Sequence, residues 1–227
     1  MRVIVIRHHA EDSAGFITEA FRARGAEVGT YMFPDGGPLP SFEDVDHIVM
    51  LGAIPSIYDP TLSWIKPELQ WLRAVDGAGV PVLGICYGAQ ELCTIFGGTV
   101  VTADQKEVGW LTIDTVRPDL IPAGPWLLFH GDRCEPAAEA AVLASNETGV
   151  QAFRIGRHLG VQFHPEVDGA QLNLWLECGG RQEALAAGTD PDALLAQAYA
   201  EEPASRDRAD RLVQTALEFA GACTLAG

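Results

Sequence analysis

The chain has 227 residues, 48% of them hydrophobic, with 15 Lys and Arg against 31 Asp and Glu for a formal net charge of −16. That length can bury one substantial core, and the acidic balance argues against nucleic acid and anionic membranes, which call for basic surfaces. The five cysteines (Cys86, Cys93, Cys134, Cys178, Cys223) show no Cys-x-x-Cys spacing. Their odd number fits a reducing cytoplasm, and no Cys/His cluster implies a metal.

Residues 3–6 read as a first strand, too short for a signal peptide, and no apolar run is long enough to span a membrane. Residues 13–24 form an amphipathic helix with Ile17, Ala20 and Phe21 inward, ended by Gly25. Residues 28–33 are a second strand, 34–38 a turn-rich loop, and 47–51 a third strand opening into a loop over 52–59. A helix over 64–78 leads to a fourth strand over 82–85. Strands alternating with helices predict a parallel sheet covered on both faces. Ligands bind such sheets beyond the carboxyl ends of the strands, where the 52–59 loop, Cys86 and His8-His9 fall.

After Gly98 the pattern changes. Short strands over 99–101, 110–116, 126–130, 141–145, 151–155 and 158–163 suggest antiparallel hairpins joined to the parallel sheet, with Gly156-Arg157 as one turn. A helix over 168–177 follows, then Gly179-Gly180 and two Ala-rich helices, about 190–201 and 206–222, separated by Pro203-Ala204-Ser205. There is no repeat and no low-complexity linker. The expectation is one domain over 1–227, with a core to about 176 and a helical tail over 177–227.

Cys86 stands where the fourth strand stops, between Gly84 and Gly88, and a helical pattern with Leu92, Ile95 and Phe96 follows it. Strand, Gly-x-Cys-x-Gly, helix is the layout of a nucleophile elbow, which pushes a strained side chain out above the sheet. The helix places its positive end at the sulfur. Taken alone, such a cysteine has a lesser alternative as a buried structural one. Far downstream, Gly160-Val161-Gln162-Phe163-His164-Pro165-Glu166 delivers a histidine with a carboxylate two residues later. A thiol nucleophile needs a base, and the base needs a group to orient it. Strand alternation would put His164 and Glu166 on one side.

These segments carry a resemblance. Gly84-Ile85-Cys86-Tyr87-Gly88-Ala89-Gln90, the Gly160–Glu166 run, and Gly52-Ala53-Ile54-Pro55-Ser56-Ile57-Tyr58-Asp59 together resemble a class I (triad type) glutamine amidotransferase domain. This is the kind fused to or partnered with GMP synthetase and carbamoyl-phosphate synthetase. Lys106-Glu107-Val108-Gly109-Trp110 and His130-Gly131-Asp132 also resemble segments common there. The resemblance runs from the first strand to about residue 176. It implies a flavodoxin-like parallel sheet flanked by helices, with a small antiparallel addition and a helical C-terminal tail. It also implies a γ-glutamyl amide substrate, glutamine first, with no cofactor. Cys86 would attack, with His164 as base and Glu166 orienting it. The amides of Tyr87 and Ala53 would form the oxyanion hole, and Gly52, Gln90, His130, Gly131 and Asp132 would contact the substrate.

The sequence also departs from the family pattern. Ala53 and Ile54 stand where the family loop usually has glycine and proline. If that peptide must adopt positive φ, alanine resists by about 1–2 kcal/mol. No ATP-binding Gly-rich loop follows Glu166. One reading is therefore a glutaminase that passes ammonia to a separate synthase. Another is a free-standing γ-glutamyl hydrolase that releases a substituted amine. A third is a non-catalytic regulatory module, against which the complete Cys-His-Glu set weighs. A fourth is an α/β-hydrolase, disfavoured because its acid normally precedes the histidine.

Overall fold

Successive side chains of a strand point to opposite faces, and the first strand shows the effect. In a computed structural model, which describes residues 1–33 and 39–222, Val3 and Val5 of β1 (Arg2–Arg7) enter one core while Ile4 and Ile6 enter another. The strands β3 (His47–Met50) and β4 (Val82–Ile85) are buried on both faces and divide in the same way: Val49, Leu83 and Ile85 on one side, Ile48, Met50 and Val82 on the other. Helix α1 (Gly15–Ala23) covers the first face through Phe16, Ile17, Ala20 and Phe21. Helices α2 (Ile65–Gly77) and α3 (Tyr87–Ile95) cover the second through Trp71, Leu72, Val75, Ala89, Leu92 and Cys93. Each large apolar side chain buried this way contributes about 1.5–3 kcal/mol.

The remaining strands are β2 (Glu27–Met32), β5 (Thr99–Leu111), β6 (Asp114–Thr115), β7 (Trp126–Glu135), β8 (Ala141–Ser145), β9 (Val150–Ile155) and β10 (His158–Val161). They join one sheet in the order β2-β1-β3-β4-β10-β9-β7-β5, with β8 against β9 and β6 against β8. The first five in that order are parallel; β9 pairs antiparallel to β10, and β7 and β5 continue antiparallel. This is the α/β fold the resemblance implies, with its antiparallel addition on one side. The short hairpin after β9 turns the chain back, so β10 enters beside β4 with Leu83 opposite Leu159.

Three expectations change. The strand expected over 99–101 and the start of that expected over 110–116 are one long strand, β5, whose register against β7 shifts between Thr102 and Glu107; the rest of the second is β6, which pairs with β8. The polar run Asp104-Gln105-Lys106 lies in that irregularity, where a bulge re-aims side chains, so no strand alternation is visible in the sequence. The last strand, expected to reach residue 163, ends at Val161. The two tail helices are one, α6 (Pro191–Ala222), with Pro203 inside it. Proline removes a helix hydrogen bond at a cost of about 3 kcal/mol. Here the helix is buried on either side of it, by Leu194 and Ala198 before and by Ala209, Leu212, Val213 and Ala216 after. Between β10 and α6 lie α4 (Gly169–Trp175), capped by Asp168 Oδ1 accepting from Gln171 N at 2.7 Å, and α5 (Arg181–Ala186), with a kink between them where Cys178 and Gly179 leave helical geometry. The segment expected as a loop over 34–38 lies outside the described residues, as does Cys223. Among the described residues no helix is long and apolar enough to cross a membrane.

Candidate active site

Cys86 connects β4 to α3 with φ 52° and ψ −105°, a left-handed conformation that costs an L-residue energy. The turn is held from both sides: Cys86 N donates to Val161 O at 2.8 Å, and Cys86 O accepts from Gln90 N at 3.1 Å. The flanking glycines are required by close approach. A Cβ on Gly84 would lie 2.4 Å from Gly88 O, and one on Gly88 would lie 2.4 Å from Met50 O. The amides of Tyr87, Gly88 and Ala89 precede Gln90 N, the first intrahelical donor, and have no intrahelical partner.

His164 lies just beyond β10. Its N–H donates to Leu127 O at 2.8 Å, an isolated bridge where the parallel and antiparallel parts of the sheet meet. Nδ1 donates to Glu166 Oε1 at 2.8 Å, and both side chains are buried. With Nδ1 committed, Nε2 is the ring nitrogen left for proton transfer. Burial pushes His164 down, but the charges of Glu166 and Cys86 and hydrogen bonds to both outweigh it, leaving the imidazole well above its ordinary value. The pairing does not rely on strand alternation, because both residues lie past the strand end. Trp175 of α4 packs edge-on to His164 at 4.9 Å and donates from Nε1 to Asp12 Oδ1 at 3.2 Å. Burial raises Asp12, and the Glu166 charge adds to that, against the Trp175 hydrogen bond.

Cys86, His164 and Glu166 line one cavity of about 660 Å³. Gly52 sits at its wall: a Cβ there would lie 3.3 Å from His164 Cε1 and 3.7 Å from Cys86 Cβ. Ala53, Gln90, His130, Gly131 and Asp132 line the same cavity, as does His9 but not His8. Tyr87 is not among the lining residues, and its ring packs against Trp64 and His8. Gln90 Nε2 is 3.5 Å from Gln162 Oε1. His130 Nδ1 donates to Asp132 O at 2.9 Å, and Nε2 lies 3.1 Å from Glu107 Oε2. Although burial raises Glu107, its hydrogen bond and attraction to His130 bring it below the ordinary carboxyl range.

Several residues in the cavity or beside Cys86 were not singled out for a role from sequence. Tyr58 donates to Asp132 Oδ1 at 2.8 Å, fastening the 52–59 loop to β7. Gln162 Nε2 points at Cys86 Sγ across 3.5 Å. Asp12, Trp175 and Lys106 also line the cavity. Gln162 and Tyr58 stood inside quoted motifs, which was the available signal; Asp12 and Trp175 had none. Among the described residues one group, His8, Glu68 and Glu91, could share a cation, with donor atoms within 4.8 Å of one another. None of the three lines the cavity.

The family model for glutamine amidotransferase class I matches residues 14–173, taking in the elbow, the 52–59 loop and the His164-Glu166 segment. The chain belongs to the class I glutamine amidotransferase family. It is 35% identical over 116 residues to GMP synthase [glutamine-hydrolyzing] of Brucella melitensis, a match covering 44% of this chain and 23% of that protein. The Brucella ovis protein of the same name matches equally, over 22% of its length. The matched region therefore spans less than a quarter of these relatives. A glutamine amidotransferase from Thermotoga maritima superposes with a TM-score of 0.86 at 26% identity, covering 96% of this chain and 98% of that one. One from Methylobacillus flagellatus gives 0.86 at 19% identity, covering 96% and 94%, a likeness of fold. The family's α/β fold and the long C-terminal helix are thus both present in this chain.

Proposed function

We propose that this class I glutamine amidotransferase hydrolyses a γ-glutamyl amide, with glutamine as the first substrate. The observation that carries the reading is the His164–Glu166 pair, bonded at 2.8 Å, in one cavity with a cysteine on a left-handed turn. Cys86 sulfur attacks the side-chain carbonyl carbon, and its proton passes to His164 Nε2. The tetrahedral intermediate places negative charge on the carbonyl oxygen, met by the amides of Tyr87 and Ala53. His164 then protonates the departing nitrogen, leaving a γ-glutamyl thioester. Water deprotonated by His164 attacks the thioester, passes through a second oxyanion, and releases glutamate and the free thiol. Glu166 keeps the ring oriented and stabilises the imidazolium in both halves. Gly52, Gln90, His130, Gly131 and Asp132 bind the glutamyl part. Ammonia would pass to an acceptor on a separate synthase, in the reducing cytoplasm the cysteines suggest.

A second reading has one observation in its favour. A cavity of about 660 Å³ lies in the range that holds drug-sized ligands, about 300–1,000 Å³. It leaves room for an amine larger than ammonia, and the enzyme would then be a γ-glutamyl hydrolase. The experiment is hydrolysis of glutamine and of a panel of γ-glutamyl alkyl- and arylamides by wild type and Cys86→Ala. Cys86→Ala is expected to be inactive on all of them; wild-type turnover by it would sink the nucleophile assignment. A large kcat/KM advantage for a substituted amide over glutamine would select the hydrolase.

A further inference from the structure

The residue after β1 and its neighbour differ in their environment: His9 is exposed in the cavity, whereas the His8 side chain is only 2% accessible. His8 Nδ1 lies 3.0 Å from Gly52 O, and Nε2 lies 2.9 Å from Glu68 Oε1. A carbonyl oxygen only accepts, so Nδ1 carries a hydrogen and donates it to Gly52 O. The Glu68 carboxyl on α2 is completely buried and fixes the far end of the ring. Trp64 and Tyr87 wall its faces at 5.7 and 5.1 Å between centroids. Behind Glu68, Glu91 of α3 is buried, and burial together with the Glu68 charge holds its carboxyl well above the ordinary range. A ring so enclosed has no alternative rotamer to visit without leaving buried polar atoms unpaired.

Gly52 O and Ala53 N–H belong to one peptide unit. Among the described residues the one cis bond is Gly124-Pro125, so this unit is trans and its C=O and N–H point opposite ways. Anchoring the carbonyl on His8, which does not line the cavity, turns the Ala53 N–H away from His8; Gly52 and Ala53 both line the cavity, and the Cβ direction of Gly52 faces His164 and Cys86. Ala53 is not among the residues with positive φ, so it adopts this arrangement without strain. Glycine at 52 leaves the peptide free to rotate on its other side, and an unanchored unit could present the carbonyl dipole to a growing oxyanion.

We propose that His8, braced by Glu68, is a positioning residue that holds the Gly52-Ala53 peptide with its N–H toward the cavity, so that the second oxyanion donor is preformed. It acts through Gly52 and touches neither substrate nor the triad. The proposal rests on the γ-glutamyl amide hydrolysis proposed above, whichever amine leaves, for its kinetic consequence.

The test compares His8→Phe, which keeps a flat ring without a donor, with His8→Asn, whose amide nitrogen falls near the Nδ1 position. Turnover of the best γ-glutamyl substrate is expected to fall ~100-fold in His8→Phe through kcat, with KM little changed, and to stay within ~10-fold of wild type in His8→Asn. Iodoacetamide displaces iodide at a saturated carbon and builds no oxyanion. In a Cys178→Ser background, Cys86 alkylation is therefore expected at the wild-type rate in both variants. An unchanged kcat in folded His8→Phe, or alkylation slowed in step with kcat, overturns the proposal. If His8→Phe does not fold, a ~100-fold kcat loss in folded His8→Asn overturns it instead. Crystal structures of wild type and of the folded variants read the peptide without turnover. Gly52 O is expected on His8 in wild type, on the amide in His8→Asn, and turned toward the cavity in His8→Phe; an unmoved peptide in His8→Phe overturns the idea. Wild-type failure on every γ-glutamyl amide would remove the proposed hydrolysis alone and leave these structures to decide the role of His8.

Discussion

Glu166 uses one oxygen on His164: Oε1 accepts from Nδ1 at 2.8 Å, while Oε2 is buried with no hydrogen-bond partner among the described residues. A carboxamide can supply that single acceptor but brings an NH₂ group to a place without one. Glu166→Gln therefore keeps the ring oriented and loses imidazolium stabilisation. His164→Ala is expected to lose ~10⁴-fold in kcat, the upper range for a general base, and Glu166→Gln ~100-fold. Equal losses in parallel kcat measurements would argue against this division of labour.

The His164 imidazole sits above its ordinary value of 6.5 because Glu166 and Cys86 outweigh burial. A folded-state value above the unfolded one means the charged form stabilises the fold. That contribution is fully present below about pH 6.5 and is lost as pH rises through the folded value. Removing the sulfur in Cys86→Ala deletes one of the two favourable charges, so the imidazole is expected to titrate lower and the stability to fall away at lower pH. Histidine NMR titration and Tm against pH, on both proteins, check this; an imidazole that titrates higher in the variant would contradict it.

Gly84 and Gly88 have no room for a methyl group. The obstacle at each is a backbone oxygen 2.4 Å from the added Cβ, not a mobile side chain. Gly84→Ala and Gly88→Ala are each expected to cost about 1–3 kcal/mol by overpacking. Urea unfolding midpoints report the loss, and an unshifted midpoint would mean the turn relaxes in a way the geometry does not suggest.

A carbonyl electrophile shaped like glutamine is expected to label Cys86 before the other thiols. Cys93 and Cys134 are buried, and the Cys134 thiol is pushed well up by its hydrogen bond with Cys93 and by burial. Among the described cysteines, Cys178 is exposed and borders the cavity, so it competes for unselective reagents. Mass mapping with and without Cys178→Ser separates the two, and first labelling at Cys178 by the glutamine mimic would count against the elbow assignment.

The parallel half of the fold was legible because each of its elements satisfies a local rule. Val3 to Ile6 alternate between two cores, α1 presents one apolar stripe, and the elbow glycines bracket Cys86. In the antiparallel half the strands starting at Trp126 and Ala141 and the turn at Gly156-Arg157 were legible too, but the length of β5 was not, because it passes through Asp104-Gln105-Lys106, where the register shifts and no periodicity survives. Pro203 reads locally as a break and is overridden by burial on both sides of it. The motif-borne residues of the cavity could be named in advance. Asp12 and Trp175 could not, since their meeting across 3.2 Å depends on how α4 docks near the end of β1.

The strand that carries the chain to His164 is among the last made and sits near the middle. β10 lies between β4 and β9, although every other parallel strand precedes Cys86 in the sequence. A nascent chain extended only as far as β9 therefore has the nucleophile and no base, with the β4 edge unpaired. Open edges recruit other strands, and pairing across so long a stretch of chain is slow to form. On the proposed roles, the pairing of β10 with β4 that closes this edge is also what brings His164 to the end of the sheet where Cys86 stands, so a chain halted before it would be an aggregation hazard and not a premature amidase.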